Sequence, residues 1–315
     1  MCSGIIKGEQ KESKVMAQEI WDNALIKANR EYLDNYYSNN LGKDSTSNIT
    51  KSLRILKGFG IKGVIEKIQK KAESTTQYIS NCQEEMCPPI QWKKKKIAVY
   101  TAIIGKYDKL EEPKFVSPYC DYFIFTDAKI PNDSIWKKRD LPTTKEYLAL
   151  NNYQRAKYFK IFPHKLFPEY DYSIWVDGNI TIIGDLTPFV DRMGTKSMAE
   201  FKHPNNNCTY EEAYSIVSQG KAQGQEVRKQ IEEYRKEGFP THYGLFENSF
   251  IVREHNNERC IYLMDMWWNQ MKQFTWRDQL SLSYVLWKSG YGIEFEQILG
   301  PCWRWNPRLR QNDHI

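Results

Sequence analysis

No run of eighteen or more apolar residues occurs in the 315-residue chain, which excludes an ordinary membrane-spanning helix. The opening segment MCSGIIKGEQKESK lacks the apolar core of a secretory signal. Cysteine is sparse: Cys2, Cys82, Cys87, Cys120, Cys208, Cys260 and Cys302 are an odd, scattered set without a Cys-x-x-Cys pair. That pattern suits a reduced, cytoplasmic chain better than a disulfide framework or a zinc site. No dinucleotide glycine fingerprint follows a strand-like run (Gly58-Phe59-Gly60-Ile61-Lys62-Gly63 has the spacing but lies inside a helical run), and the phosphate-binding P-loop, the Gly-x-Ser-x-Gly elbow and the His-Glu-x-x-His helix are missing. The usual nucleotide cradles and the commonest hydrolase and zinc-protease readings go with them. Internal repeats and low-complexity tracts are absent as well. The glycosylation triplets Asn179-Ile180-Thr181 and Asn207-Cys208-Thr209, two of four Asn-x-Ser/Thr triplets in the sequence, read as chance occurrences in a cytosolic chain.

What is present describes a globular protein: 41% hydrophobic, 14% aromatic and 27% charged residues, enough for a sizeable core. The net charge of +6 is confined to the first third. Residues 1–96 hold 17 Lys+Arg against 11 Asp+Glu, whereas residues 97–315 hold 28 of each. Interspersed acids and bases in the larger part argue against a nucleic-acid partner.

Residues 1–92 read as a helical extension and 93–315 as the main domain. Met16, Ile20, Trp21, Leu25, Ala28 and Leu33 recur at helical spacing. A second helical run sets Leu53, Leu56, Ile61, Val64, Ile65 and Ile68 on one face, with Lys57, Lys62, Lys67, Lys70 and Lys71 mostly around the other. Gly58, Gly60 and Gly63 weaken it, each by about 1 kcal/mol relative to Ala. Such a basic amphipathic helix either lies peripherally on an anionic membrane face or packs on the main domain. Pro88-Pro89 and Lys93–Lys96 mark the boundary.

Beyond it, strand-length apolar runs alternate with helical stretches. Ile97–Ile104, Tyr122–Thr126, Tyr172–Val176, Ile180–Ile183, Ser197–Phe201 and Phe246–Arg253 read as strands. Residues 151–162, 209–237, 258–272 and 277–288 read as helices. The alternation predicts an α/β fold with a mostly parallel sheet flanked by helices. In such sheets ligands gather outside the carboxyl ends of the strands. That singles out the loops Gly105–Asp108, Asp127–Lys129 and Asp177–Asn179. Asp177 and Asn179, two residues apart at the end of a buried strand, can point oxygen ligands at one hard cation such as Mn²⁺ or Mg²⁺. Gly178 between them permits a tight turn and close approach of a ligand. The same triplet is also a good plain turn.

Several segments resemble, in order, the glycosyltransferase-like family of plants and bacteria that includes proteins linked to turgor regulation and seed mucilage. They are Tyr100–Asp108, Phe125-Thr126-Asp127, Ser173–Asn179, His203-Pro204, Tyr210–Ala213, Val252–Asn256 and Phe274–Ser281. They cover roughly the last two-thirds of the chain, and residues 1–96 carry no part of the resemblance. It implies a GT-A-type fold and transfer of a sugar from a nucleotide-sugar donor to a glycan or glycolipid acceptor, in polysaccharide or glycoconjugate synthesis. It also implies a donor site built from Thr101, Ala102, Gly105, Tyr107, Asp127, Asp177, Gly178, His203 and His255. A divalent ion would join the donor diphosphate to Asp177, Asn179 and a late histidine, His314. Asn179 stands where many such enzymes carry a second Asp, which weakens the expected metal dependence. Arg155 and Lys160, on the helix before the Asp177 strand, read either as phosphate clamps or as a solvated helix face. By the same resemblance Asp278, flanked by Arg277 and Gln279, is the candidate catalytic or acceptor-binding carboxylate; its plain alternative is a favourable charge in the first turn of a helix. His203 and His255 fall in resembling segments, although single histidines are commonly structural. A catalytically silent carbohydrate-binding protein or a sugar nucleotidyltransferase are the competing readings.

Overall fold

The structure, a computed structural model, describes residues 48–73 and 95–313. The run Met16–Leu33, Pro88-Pro89, Lys93-Lys94 and His314 therefore lie outside the described residues.

The strands are β1 (Ile97–Ile103), β2 (Cys120–Thr126), β3 (Lys137–Arg139), β4 (Tyr172–Val176), β5 (Ile180–Ile182), β6 (Met198–Lys202), β7 (Phe246–Arg253), β8 (Glu296–Ile298) and β9 (Leu309–Gln311). The longer helices are α1 (Asn48–Glu73), α2 (Asn152–Ile161), α3 (Thr209–Ser218), α4 (Gly224–Glu237), α5 (Glu258–Gln273) and α6 (Leu282–Lys288). Seven strands form one sheet in the order β3-β2-β1-β4-β7-β6-β8. All are parallel except β7, which runs against both β4 and β6. The fold is α/β with a mostly parallel sheet flanked by helices, as the alternation of patterns predicted. Its central strands β1 and β4 are buried along their whole length. That explains why they read as unbroken apolar runs rather than alternating ones.

Helices α2 to α6 cover one face of the sheet through a core that includes Phe159, Trp267, Tyr234 and Leu286. The other face is closed by Phe189, Val190 and Met193 of the short helix Thr187–Met193, with Trp136 and Trp303. Helix α2 is entered through a reciprocal cap: Asn151 accepts from the Gln154 backbone and Gln154 returns the bond. Tyr100 of β1 then donates to the carbonyl of Lys160, tying the last turn of α2 to the middle of the sheet.

Several expectations shift. The stretch 209–237 is two helices, parted where Gly220 takes a φ of 71°. Asp278 starts a single 3-10 turn, Asp278–Leu280, and the α-helix begins only at Leu282. Residues 180–183 do not join the main sheet: β5 pairs antiparallel with β9 in a separate two-stranded ribbon. The short strands β3, β8 and β9 went unread because three-residue segments carry no usable periodicity.

The larger correction concerns α1. Its Leu53, Leu56, Ile61 and Ile65, which the packing alternative placed against the main domain, are exposed. The helix docks instead through Ile55, Gly58, Phe59 and Gly63 against α3 and α4. Phe59 packs edge-on against Tyr214, with ring centres 4.6 Å apart. Gly58 crosses Gly224 backbone to backbone: a Cβ on Gly58 would fall 2.8 Å from the Gly224 Cα, and one on Gly224 would fall 2.6 Å from the Gly58 Cα. The glycines read as weak points are the contact surface, since only hydrogen side chains allow so close a crossing. Gly60, with φ 71° and ψ −170°, breaks the helix between these contacts. Among the described residues no helix is long and apolar enough to cross a membrane.

This assignment of faces is testable by denaturant unfolding. Gly58→Val should cost about 1–3 kcal/mol through overpacking, whereas Leu53→Ser should change stability by no more than about 0.5 kcal/mol. The reverse ranking would restore the leucine row as the packing face.

Candidate active site

At the carboxyl end of β4 the chain turns through Asp177-Gly178-Asn179, and Asp177 stays partly exposed there. Its Oδ1 accepts from the Trp175 indole at 2.6 Å and lies 3.4 Å from the Lys160 ammonium. Its second oxygen takes part in neither bond. Lys160 is only 2% exposed, and its Nζ also pairs with Oδ2 of Asp278 at 2.7 Å. Lys157, one turn earlier on α2, reaches the same Asp278 oxygen at 2.7 Å. A buried charge is tolerable only when it is paired; here a chain of four alternating charges, Lys157–Asp278–Lys160–Asp177, supplies the pairing.

The charges set one another's protonation. Burial alone would raise the Asp278 carboxyl, but Lys157, Lys160 and Arg277 outweigh it and hold the group well below the usual carboxylate range. Burial likewise works against charge on Lys160, and Asp177 and Asp278 reverse the effect, keeping it above the ordinary lysine value. Lys157 differs. Burial lowers it, Asp278 only partly compensates and Lys160 opposes it further, so it falls to about 8.

The loops around this chain complete a cradle. The backbone N–H of Gly105, in the left-handed region at φ 70°, donates to both carboxylate oxygens of Asp127 at 3.1 Å. Asp127 thus fixes the loop after β1. That loop carries Asp108 over the Asp177 turn: a Cβ on Gly178 would fall 2.9 Å from Asp108 Oδ2 and 3.0 Å from Ile103. Tyr107, largely exposed, lies in the electrostatic neighbourhood of Asp108, Tyr153, Arg277 and Asp177. Arg277 donates to the Tyr153 hydroxyl at 3.0 Å. Gln279 donates its side-chain amide to the Phe246 carbonyl and its backbone N–H to Asp278 at 3.1 Å. From the far end of the chain Asn312 donates to the Asn179 carbonyl and to Thr181, both at 2.8 Å, so β9 buttresses the Asp177 turn. His203 ends the parallel strand β6 on the same rim, where it accepts from the Asn206 backbone at 3.0 Å and lies 3.5 Å from Glu212.

Other expected residues fall elsewhere. Arg155 donates to the Leu148 carbonyl at 2.8 Å and lies over the Tyr147 ring, so it braces the preceding loop while Lys157 takes the place beside Asp278. His255 follows the antiparallel strand β7 and therefore sits at the opposite end of the sheet from Asp177. It is buried, donates to the Phe167 carbonyl at 2.8 Å and is lowered by that burial to about 4. Thr101 and Ala102 are buried in β1 beneath the cradle. Lys157 and Asn248 were not singled out, and Asp108 only as the end of its loop. Asn248 is two residues before Phe250, the register partner of Val176, and both of its buried side-chain amide atoms lack a hydrogen-bond partner. The basic run of α2 contained the signal for Lys157; helical spacing places it one turn from Lys160.

The donor chemistry of the cradle fits a hard divalent cation. Asp177 offers a carboxylate, Asn179 is adjacent, and Asp108 brings a second carboxylate to the glycine gap. Magnesium-type ions are commonly held by one or two carboxylates plus substrate phosphates.

A profile described as the TOD1/MUCI70 glycosyltransferase-like domain matches residues 37–299. The chain belongs to this family. The match takes in α1, which the resemblance read from sequence left out. Among curated relatives, a probable hexosyltransferase, MUCI70 of Arabidopsis thaliana, is 26% identical over 216 residues, covering 60% of this chain and 37% of that protein. The alkaline ceramidase TOD1 of Arabidopsis thaliana is 26% identical over 233 residues, covering 62% of this chain and 49% of that protein. The chain thus spans half or less of the length of these relatives. Among solved structures, the apo WbbM bifunctional glycosyltransferase aligns over 69% of this chain and 40% of its own, with a TM-score of 0.39 and 11% identity.

Within this TOD1/MUCI70 domain, Lys157 yields a direct test. A diphosphate bound beside it would raise its proton affinity, so if a nucleoside diphosphate binds there, binding near pH 8–9 should take up a proton. Calorimetry in buffers of different ionisation enthalpy should show the dependence, and Lys157→Arg should remove it while keeping the binding. Unchanged buffer dependence in that variant would place the proton elsewhere.

Proposed function

We propose that the chain transfers a hexosyl or related sugar from a nucleotide-sugar donor to a glycan or glycolipid acceptor. The observation that carries this reading is the Lys157–Asp278–Lys160–Asp177 chain at the carboxyl ends of the parallel strands. Glycosyl transfer has two electrostatic demands: negative charge grows on the leaving diphosphate, and positive charge grows on the sugar ring. The lysines, with Arg277, meet the first as preorganised cations in a site where little water competes. Asp278 meets the second. A carboxylate held that far below its usual range is a poor proton acceptor, so its part is that of a fixed negative charge beside the reacting carbon or an acceptor hydroxyl.

In this proposal Asp177 and Asp108, with Asn179, hold Mn²⁺ or Mg²⁺. When bound, such an ion supplies Lewis-acid stabilisation to the diphosphate. Trp175 and Lys160 orient Asp177 for that task through its other oxygen. The Asp127–Gly105 clamp keeps the first loop fixed, so its backbone is already placed to meet a donor.

Screening the purified chain for hydrolysis of a panel of nucleotide sugars, with and without Mn²⁺, tests the reading, and ceramide hydrolysis serves as the rival arm. Asp278→Asn should lower turnover by about 100-fold, in the range typical of a lost electrostatic contact, while nucleoside diphosphate affinity stays nearly intact. Asp177→Ala should abolish turnover. Ceramide cleavage with no sugar turnover would reject the proposal.

The exposed face of α1 supports a second element, peripheral contact with an anionic membrane at its inner face. Ile49, Leu53, Leu56, Ile61 and Ile65 present apolar side chains to solvent, and Lys57 and Lys62 flank them. Apolar insertion beside basic charge is the recipe for interfacial binding, each lysine adding about 1 kcal/mol near the surface. Co-sedimentation with phosphatidylserine vesicles should be salt-sensitive and should fall sharply in Leu53→Ser/Ile61→Ser. Binding that is unchanged in the double variant would remove α1 from the contact.

A further inference from the structure

A second cluster of chemically competent side chains lies outside the charge chain. Cys208 caps the amino end of α3, Glu211 is in its first turn, and His242 lies on the loop that leads into β7. One ligand atom from each, the thiol sulfur, a carboxylate oxygen and a ring nitrogen, comes within 4.8 Å of the other two.

Three features suit these residues to a metal ion. The first is the donor set. A thiolate, a carboxylate and a neutral imidazole carry two negative charges together, which balance one divalent cation. Sulfur and nitrogen donors select a zinc-type ion over magnesium or calcium. The second is the orientation of the imidazole. Asn207 Oδ1 accepts from Nδ1 of His242 at 2.7 Å, so Nδ1 carries the hydrogen and Nε2 keeps its lone pair. A carbonyl-type acceptor behind a ligating histidine is a recurrent support of such sites. The third is the backbone that holds the two segments together. Gly244 N–H donates to the Asn207 carbonyl at 3.0 Å, and His203 N–H donates to the Leu245 carbonyl at 2.8 Å. The loop bearing His242 is therefore pinned to the segment bearing Cys208 with no ion required.

We propose that Cys208, Glu211 and His242 bind a divalent zinc-type cation. Bonds of 2.0–2.3 Å around a tetrahedral ion set its donor atoms roughly 3.3–3.8 Å apart. Rotation of the partly exposed Glu211 and the exposed His242 about their own side-chain bonds closes the difference. The buried Cys208 thiol gives up its proton on binding and acts as the fixed anchor. Three protein ligands leave a fourth position for water.

The ion braces the rim of the candidate active site. Glu212, next to Glu211 on α3, turns toward His203 and Asn206. Phe246, a few residues beyond His242, offers its carbonyl to Gln279. Both contacts hang on the two segments that the cation joins. This site is separate from the Asp177 cradle, whose oxygen donors suit a harder ion.

Cobalt titration of the full chain, followed by visible and near-ultraviolet absorption, gives the test. Wild-type protein should develop the ligand-field bands of tetrahedral cobalt with a thiolate charge-transfer band at one equivalent. Cys208→Ser should abolish the charge-transfer band, and Asp177→Ala should leave it intact. Competition by zinc should show affinity lowered about 10- to 100-fold in Asn207→Ala and further in His242→Ala. Because His242 is exposed, its variant should fold normally, and zinc should raise Tm in the wild type but not in that variant. Failure of the charge-transfer band to form, its survival in Cys208→Ser, or equal zinc affinity in His242→Ala would each overturn the proposal.

Discussion

Lys160 is almost wholly buried, and the geometry of the site follows from the need to pair its ammonium. An unpaired buried lysine would cost several kcal/mol or shed its proton. Two carboxylates meet the demand from different parts of the chain, Asp177 from the end of β4 and Asp278 from the turn before α6. That pairing holds the two together and brings α2 between them. Asp278 in turn draws in Lys157, and Tyr153 on the same helix receives Arg277. The result is a rigid run of alternating charge in which no member moves without stranding another.

The surrounding fold keeps this run in place. Arg253, buried in β7, donates to the Tyr100 hydroxyl at 2.7 Å, and Tyr100 donates onward to the last turn of α2. Near Lys160, the Glu200 carboxyl is raised well above the ordinary carboxyl value by burial and by Glu296 on the neighbouring strand. Fixed charges like those of the run need no reorganisation when a substrate's own charge develops, and this links the packing under the sheet to chemistry above it.

The α1 contact obeys a different constraint. Gly58 and Gly224 meet backbone to backbone, which leaves the leucine and isoleucine row of α1 to solvent. A helix that packs through glycine can present its apolar stripe elsewhere. Here the stripe and its lysines together form the surface proposed to meet a membrane.

Much of the architecture was legible because buried parallel strands must be apolar over their full length. Ile97–Ile103 and Tyr172–Val176 announce themselves, and Asp177 breaks the second run at the end where ligands collect. Asp278 was legible by its place in a resembling segment. Other features were not. Arg155 and Lys157 stand two residues apart on one basic helix, and nothing local says which faces Asp278 and which turns back to Leu148. Cys208, Glu211 and His242 span a gap of thirty-four residues with no metal-binding spacing, so only folding of the loop onto α3 brings them together. His255 sits in a resembling segment, yet the antiparallel course of β7 carries it to the far end of the sheet. The sequence by itself determined which segments are strands and where the chain can stop being apolar, since those depend on neighbours along the chain. Tertiary structure alone decided which charges pair, because pairing depends on strand order and helix rotation, set by packing among residues far apart in sequence.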